Sequence, residues 1–127
     1  MKTEFILYVN EQQRSRDMYA ALLDLDPVLD VPGMTEFDLG GCKLGLMPEE
    51  GIARTITPAL PHPSKGAGIP RCEIYLLVDD LDPLSERAVA AGMRMIDPPA
   101  DRSWGHHVVY FADPDGHVIA FARNILL

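Results

Sequence analysis

The pattern of apolar and polar residues repeats once along the chain. Residues 4–9 and residues 73–78 are each rich in β-forming side chains, and each stretch begins with Glu and ends with Val. Apolar residues at helical spacing follow each stretch, and three short segments typical of strands follow each helix. The repeat, offset by 69 residues, predicts two modules with the element order βαβββ and therefore an α+β fold.

Capping and turn residues indicate where the predicted elements begin and end. Asn10, with Gln13 three positions later, has the pattern of a capping box before the first helix. Asp82 and Pro83 are typical of the start of the second helix, which is expected to end at Gly92. Tight turns are predicted at residues 40–41 and 113–116. The predicted later strands are residues 28–31, 36–39, 43–47, 94–96, 107–112 and 117–122.

The length of 127 residues is that of one ordinary domain. We expect a single domain of two pseudo-repeats, with residues 1–47 as the first module and residues 71–127 as the second. Residues 48–70 hold five prolines and three glycines, which predicts a linker loop without regular structure that also has a functional role.

Strand alternation separates two faces in each leading strand. One face of each strand is wholly apolar and is expected to pack under the helices: Phe5, Leu7, Val9, Ile74, Leu76 and Val78. The other face mixes carboxylate, aromatic and aliphatic side chains, as a half-dry pocket wall does: Glu4, Ile6, Tyr8, Glu73, Tyr75 and Leu77. The alternative is that Glu4 and Glu73 only begin their strands in solvent, and the pattern favours neither.

Composition excludes several classes of function. The formal net charge of −8 argues against nucleic-acid binding, which needs clustered Lys and Arg. The apolar run at the N-terminus is too short for a signal sequence or a membrane span. Cys42 and Cys72 are the only cysteines, so reduced thiols in a cytoplasmic protein are expected.

Four segments carry a family resemblance that covers almost the whole chain: residues 14–19, 78–81, 102–105 and 110–121. They resemble, in the expected order, motifs of the glyoxalase/bleomycin-resistance/extradiol dioxygenase (vicinal oxygen chelate) superfamily. The resemblance implies two modules whose curved mixed sheet surrounds a ligand cleft. It also implies a homodimer.

The resemblance further implies four metal-ligand positions, on the first and last strands of each module. They fall on Glu4, on Glu73, on Gly45 or Leu46, and on Ala120. Glycine, leucine and alanine have no donor atom, so a four-ligand site cannot form from these residues. We therefore predict no cofactor, and at most weak binding of a divalent cation by Glu4 and Glu73 with water.

The histidines do not supply a replacement ligand set. His106 and His107 are neighbours on a strand, so only one can face the pocket. We favour His106, because it lies two residues after Trp104, which is either a core residue or a pocket wall. The residues predicted to contact a ligand are Tyr8, Tyr75, Arg102, Trp104, His106 and Ala120.

Three functions remain open from the sequence, and we favour the first. The first is a metal-independent protein that binds and sequesters a small molecule, for which an acidic pocket favours a cationic or hydrogen-bond-donating ligand. The second is a lyase, isomerase or dioxygenase, similar to lactoylglutathione lyase or to a dioxygenase, in which Glu73 or Glu4 acts as general base. The third is a non-catalytic partner module.

Overall fold

A computed structural model of the chain describes residues 1–126. It divides into two compact units, residues 1–67 and residues 68–127, which are described separately. Each unit contains one βαβββ module, and this confirms the predicted α+β class. The division into residues 1–47, 48–70 and 71–127 as parts of one domain stays a prediction.

The first unit is a four-stranded mixed sheet with the strand order β1-β4-β3-β2. Strand β1 is parallel to β4, and the other neighbours are antiparallel. Its elements are β1 (Glu4–Val9), α1 (Gln12–Leu23), β2 (Leu29–Val31), β3 (Met34–Asp38), β4 (Lys43–Pro48) and α2 (Glu49–Ile56), followed by a short 3-10 turn (Pro63–Gly66).

The second unit repeats this topology with the strand order β5-β8-β7-β6, in which β5 is parallel to β8. Its elements are β5 (Glu73–Leu77), α3 (Asp82–Ala90), β6 (Arg94–Asp101), β7 (His106–Ala112) and β8 (Val118–Asn124). The first strand therefore lies beside the last strand in both units. This common order confirms the βαβββ repeat that was inferred from the sequence.

The predicted apolar face of the leading strand contributes to the core in the first unit, whereas in the second unit Ile74, Leu76 and Val78 are only half-buried. In the first unit, Leu7 and Val9 are buried, together with Tyr19 and Leu22 of α1. Phe5 departs from the prediction, because it is 65% exposed near the start of β1. In the second unit, the rings of Phe111 and Phe121 pack 5.6 Å apart between their centroids.

Both predicted helix starts are shifted from the capping residues that the sequence indicated. The N-cap of α1 is Glu11 and not Asn10, because the Glu11 carboxylate accepts the hydrogen bond from the backbone N–H of Arg14. Asp82 does not cap α3, since its own backbone N–H donates to the Asp80 carboxylate. The N-cap of α1 therefore lies one position after the predicted one, and the N-cap of α3, Leu81, lies one position before it and has no side-chain capping bond.

The segment of residues 48–70 differs from the expected structureless loop, because it contains helix α2 and the 3-10 turn. Residues 49–56 contain no proline, and the prolines that follow them explain why the whole segment looked irregular. Glu49 and Glu50 lie in the first turn of α2 and Arg54 in its last turn, which suits the helix dipole. Within the described residues, no helix is long and apolar enough to cross a membrane.

Candidate functional site

Strand register in the second unit places a tyrosine on either side of an alanine. Tyr75 of β5 and Tyr110 of β7 are both register partners of Ala120 on the central strand β8. Val108, Ala120 and Ala122 form a fully buried apolar cluster, and the two tyrosines pack against it. Ala120 therefore lies beneath the tyrosines and has no exposed surface.

Three of the predicted ligand-contact residues are joined by hydrogen bonds on this face. The indole N–H of Trp104 donates to the Tyr75 hydroxyl oxygen over 3.0 Å. The same hydroxyl group lies 2.6 Å from Nδ1 of His106. His106 and Tyr75 are half-buried, whereas the indole of Trp104 is 55% exposed. The three side chains form a polar cluster on top of the apolar one, and we call it the Tyr75 cluster.

A tight turn between β6 and β7 places Trp104 and His106 beside Tyr75. The backbone N–H of Arg102 donates to the carbonyl of His106, and the N–H of Gly105 donates to the carbonyl of Arg102. Gly105 has φ of +90°, in the left-handed region where glycine is favoured. Trp104 and His106 both reach the Tyr75 hydroxyl group and therefore lie on the same side, as the sequence predicted.

The Arg102 guanidinium group is engaged by its own module. Its Nη2 lies 2.9 Å from the Asp97 carboxylate and donates to the carbonyls of Pro98 and Val108. The guanidinium also lies over the Tyr110 ring, 5.2 Å from its centroid. Strand β6 shifts its register around Pro98, because proline cannot donate to the ladder, and Arg102 satisfies the carbonyl there.

The surroundings of Tyr110 raise the pKa of its phenol group. Burial raises the pKa of Tyr110 above its ordinary value, and the negative charge of Glu73 raises it further. The positive charge of Arg102 acts in the opposite direction. Glu73 is exposed at the start of β5, on the same face as Tyr75.

In the first unit, two carboxyl groups lie close together beside the small residue of the central strand. Glu36 of β3 is the register partner of Gly45 on the central strand β4. A hydrogen bond with the Glu36 side chain raises the pKa of Glu4, partial burial and the negative charge of Glu36 raise it further, and Lys43 lowers it. Lys43 Nζ lies 3.7 Å from a Glu36 oxygen. Tyr8 lies on the Glu4 face of β1 and is 37% exposed.

Glu36 was not among the residues predicted from the sequence. Its position on β3 corresponds to that of Tyr110 on β7, because each is paired with the small residue of the central strand. Aligning all strands of the two modules, and not only their leading strands, would have identified Glu36.

Two other features of the second unit are polar. Side-chain atoms of Asp113, Asp115 and His117 that can ligate a metal lie within 4.8 Å of one another. This arrangement is compatible with weak cation binding. Asp113 Oδ1 also accepts hydrogen bonds from the backbone N–H groups of Asp115 and His117.

The second feature is a groove of about 540 Å³ that is open to solvent. None of the predicted site residues lines it; its lining residues are Val78, Asp79, Asp101, Arg123, Asn124, Ile125 and Leu126.

Comparison with known proteins identifies the class. The model of the Glyoxalase/Bleomycin resistance protein/Dioxygenase superfamily matches residues 3–121, so the chain belongs to this superfamily. No curated protein shows a significant match to the sequence.

Solved structures with a similar fold come from several bacteria. A glyoxalase-related enzyme from Fulvimarina pelagi is 23% identical, with a TM-score of 0.82 over 98% of this chain and 88% of that one. A family enzyme from Burkholderia phytofirmans PsJN is 15% identical, with a TM-score of 0.84 over 97% and 98% of the two chains. Protein ATC0852 from Agrobacterium tumefaciens is 28% identical, with a TM-score of 0.76 over 99% and 98%.

The residues at the expected metal positions do not fit a four-ligand metal site. Leu46 is fully buried, whereas Gly45 has Ile6 and Glu4 as its nearest side-chain neighbours, so Gly45 is the residue on the Glu4 face. Gly45 and Ala120 offer no donor atom. Two carboxylates remain, which is fewer oxygen ligands than a hard divalent cation takes.

Proposed function

We propose that this chain is a metal-independent small-molecule binding protein with a degenerate metal site, and that it sequesters its ligand at the Tyr75 cluster. The observation that carries the proposal is the burial of Ala120. The superfamily resemblance implies a metal-ligating carboxylate at this position, and here the side chain is a methyl group beneath two tyrosine rings. Aromatic and hydrogen-bonding groups take the place of metal donors, which suits a small-molecule site.

A second candidate function is general acid–base catalysis of the lyase, isomerase or dioxygenase type. Glu4 favours it, because the raised pKa of its carboxyl group brings it closer to the range in which a group can both accept and donate a proton. A general-base role for Glu73 stays a prediction. Turnover of a substrate that Glu4→Gln abolishes and Tyr75→Phe leaves intact would favour this function over sequestration.

We also propose a homodimer in the cytoplasm. A homodimer is what the family resemblance implies, and open sheet edges are surfaces that association covers. Cys42 and Cys72 are both free thiols, which suits a reducing compartment.

The test of the proposed function combines metal analysis with ligand binding. Purified protein, dialysed and analysed for elements, is expected to carry far less than one Zn, Ni, Fe or Mn ion per chain. Trp104 is the only tryptophan, so its fluorescence reports binding at the Tyr75 cluster during a screen of small aromatic compounds. Hits are expected to bind equally well with and without EDTA. One tightly held ion per chain, or binding that EDTA abolishes, would contradict metal independence.

A further inference from the structure

The hydrogen bonds at Tyr75 favour one of the two neutral tautomers of His106. An indole N–H can only donate, so the Tyr75 oxygen accepts from Trp104. The Tyr75 hydroxyl proton is then best satisfied by Nδ1 of His106, 2.6 Å away. A neutral imidazole that accepts at Nδ1 carries its proton on Nε2.

We infer that the Nε2–H group of His106 is the donor by which the Tyr75 cluster recognises a neutral carbonyl oxygen on a planar ligand. This inference rests on the proposed function and names the class of ligand. Within the described residues 1–126, Nε2 of His106 has no hydrogen-bond partner of its own, although the ring is only half-buried. A ligand that accepts a hydrogen bond there would complete the bonding of the ring.

The shape of the ligand follows from Trp104. Its indole is 55% exposed, and the bond to Tyr75 fixes the orientation of its ring. A fixed and exposed aromatic surface beside a single donor suits a flat molecule that stacks and accepts one hydrogen bond.

The charge of the ligand follows from the groups around the cluster. Glu73 is exposed two residues before Tyr75 on the same face, and the chain has a net charge of −8, so an anionic acceptor is disfavoured. A cationic ligand that donates hydrogen bonds is also disfavoured, because the Nε2–H group of His106 is itself a donor and cannot accept. A neutral carbonyl compound avoids both conflicts, which differs from the cationic or donating ligand that charge alone suggests.

The tautomer can be measured without any ligand. Long-range nitrogen–proton NMR spectra of ¹⁵N-labelled protein at about pH 8, where an unperturbed imidazole is neutral, should show His106 protonated on Nε2. His107 is the internal control, because its Nδ1 lies 2.8 Å from the Asp101 carboxylate and is expected to carry the proton. Tyr75→Phe should leave His106 as a mixture of tautomers. Protonation of His106 on Nδ1 in the unmodified protein would overturn the inference.

Recognition can be tested with three matched probes: benzamide, benzoate and benzylamine. Benzamide is expected to quench Trp104 fluorescence and shift the His106 Nε2–H signal at lower concentration than the two charged probes. His106→Asn keeps an acceptor for Tyr75 near the position of Nδ1 but removes the outer donor, and it should weaken benzamide binding about fivefold. His107→Asn, on the opposite face of β7, should leave benzamide binding unchanged.

The outcomes separate the inference from the proposed function. Preferential binding of benzylammonium or benzoate, or equal benzamide binding in His106→Asn and the unmodified protein, would overturn the inference and leave the proposed function standing. If EDTA abolishes binding of all three probes, the proposed function fails and the inference fails with it.

Discussion

Gly45 is the residue that allows two carboxyl groups to meet in the first unit. A Cβ atom at this position would lie 3.0 Å from Ile6 Cγ1 and 3.3 Å from Glu4 Oε2. The absence of a side chain therefore gives Glu4 room over strand β4, on whose far side Glu36 lies. The same absence removes a metal donor, so one small residue both degrades the implied metal site and permits the Glu4–Glu36 pair.

The raised pKa of Glu4 predicts how stability depends on pH. Since Glu4 binds its proton more tightly in the folded protein than in the unfolded chain, stability falls as pH rises from the ordinary carboxyl pKa of 4.5 through the raised pKa of Glu4. Glu4→Gln does not titrate and should lack this loss. At pH 7 the variant should be as stable as the unmodified protein or more stable, by less than about 1 kcal/mol because solvent screens the pair.

Urea unfolding at a series of pH values measures this effect. In a Glu36→Gln background, the pH-dependent effect of Glu4→Gln on stability should be smaller, because the hydrogen bond and the negative charge of the partner carboxyl group have been removed. A clear loss of stability for Glu4→Gln alone at pH 7 would show that the Glu4 carboxylate makes a stabilising contact instead.

For single residues, the sequence predicts the strand face on which a side chain lies better than it predicts the residues that this side chain contacts. Alternation places Glu4 and Tyr75 on the faces that they occupy, and spacing selects His106 over His107. Neither the contact of Glu36 with Glu4 nor the bonds that the Arg102 guanidinium group makes could be predicted from alternation and spacing. Both depend on which residues of neighbouring strands lie opposite one another, and alternation within a single strand does not give this register, which also depends on turn geometry.

At the scale of elements, the β7–β8 turn is the most constrained connection in the second unit. Asp113 is buried and accepts two backbone N–H groups of the turn. Gly116 has φ of +87°, and a Cβ atom there would lie 2.6 Å from Cα of Gly68. The backbone N–H of Gly68 donates to the carbonyl of Asp115, so a segment from outside the turn packs directly on it.

Gly116→Ala is expected to destabilise the protein more than Gly105→Ala does. Both glycines have left-handed φ values, so both substitutions introduce backbone strain of about 1–2 kcal/mol. Only Gly116 lacks space, which adds at least about 1 kcal/mol because the backbone of Gly68 must move. Thermal and urea unfolding of the two variants measure the difference. Equal destabilisation would show that the contact with Gly68 gives way without cost.

Helix α2 shows why element prediction failed in one segment. A window that averages residues 48–70 is dominated by prolines, which mark irregular structure. The eight residues of α2 have a favourable charge order at their ends, but eight residues are too few to form a stable isolated helix. Tertiary packing against β4 and β1 supports α2. Helices of this kind follow from the surrounding fold and are difficult to infer from local sequence.

At the scale of the whole molecule, the sheet edges differ in how well they are protected. The edge strands are β1 and β2 in the first unit and β5 and β6 in the second. Strand β2 has only three residues, and β6 carries two consecutive prolines and register shifts, features that discourage pairing with another chain. Strand β1 has six residues without proline, and its Phe5 is 65% exposed.

Strand β5 also lacks proline, but β1 is longer and carries the exposed Phe5, so the proposed homodimer is expected to use the β1 edge. Light scattering coupled to size-exclusion chromatography at micromolar concentration should give twice the mass of the chain. Phe5→Glu places a charge on β1 and should shift the protein to monomer, because like charges would meet across a symmetric interface. Val89→Glu is the matched control, since Val89 is 60% exposed on α3 and belongs to no sheet edge. A monomeric unmodified protein would refute the dimer. A dimer that survives Phe5→Glu and dissociates in Val89→Glu would place the interface on the helical side.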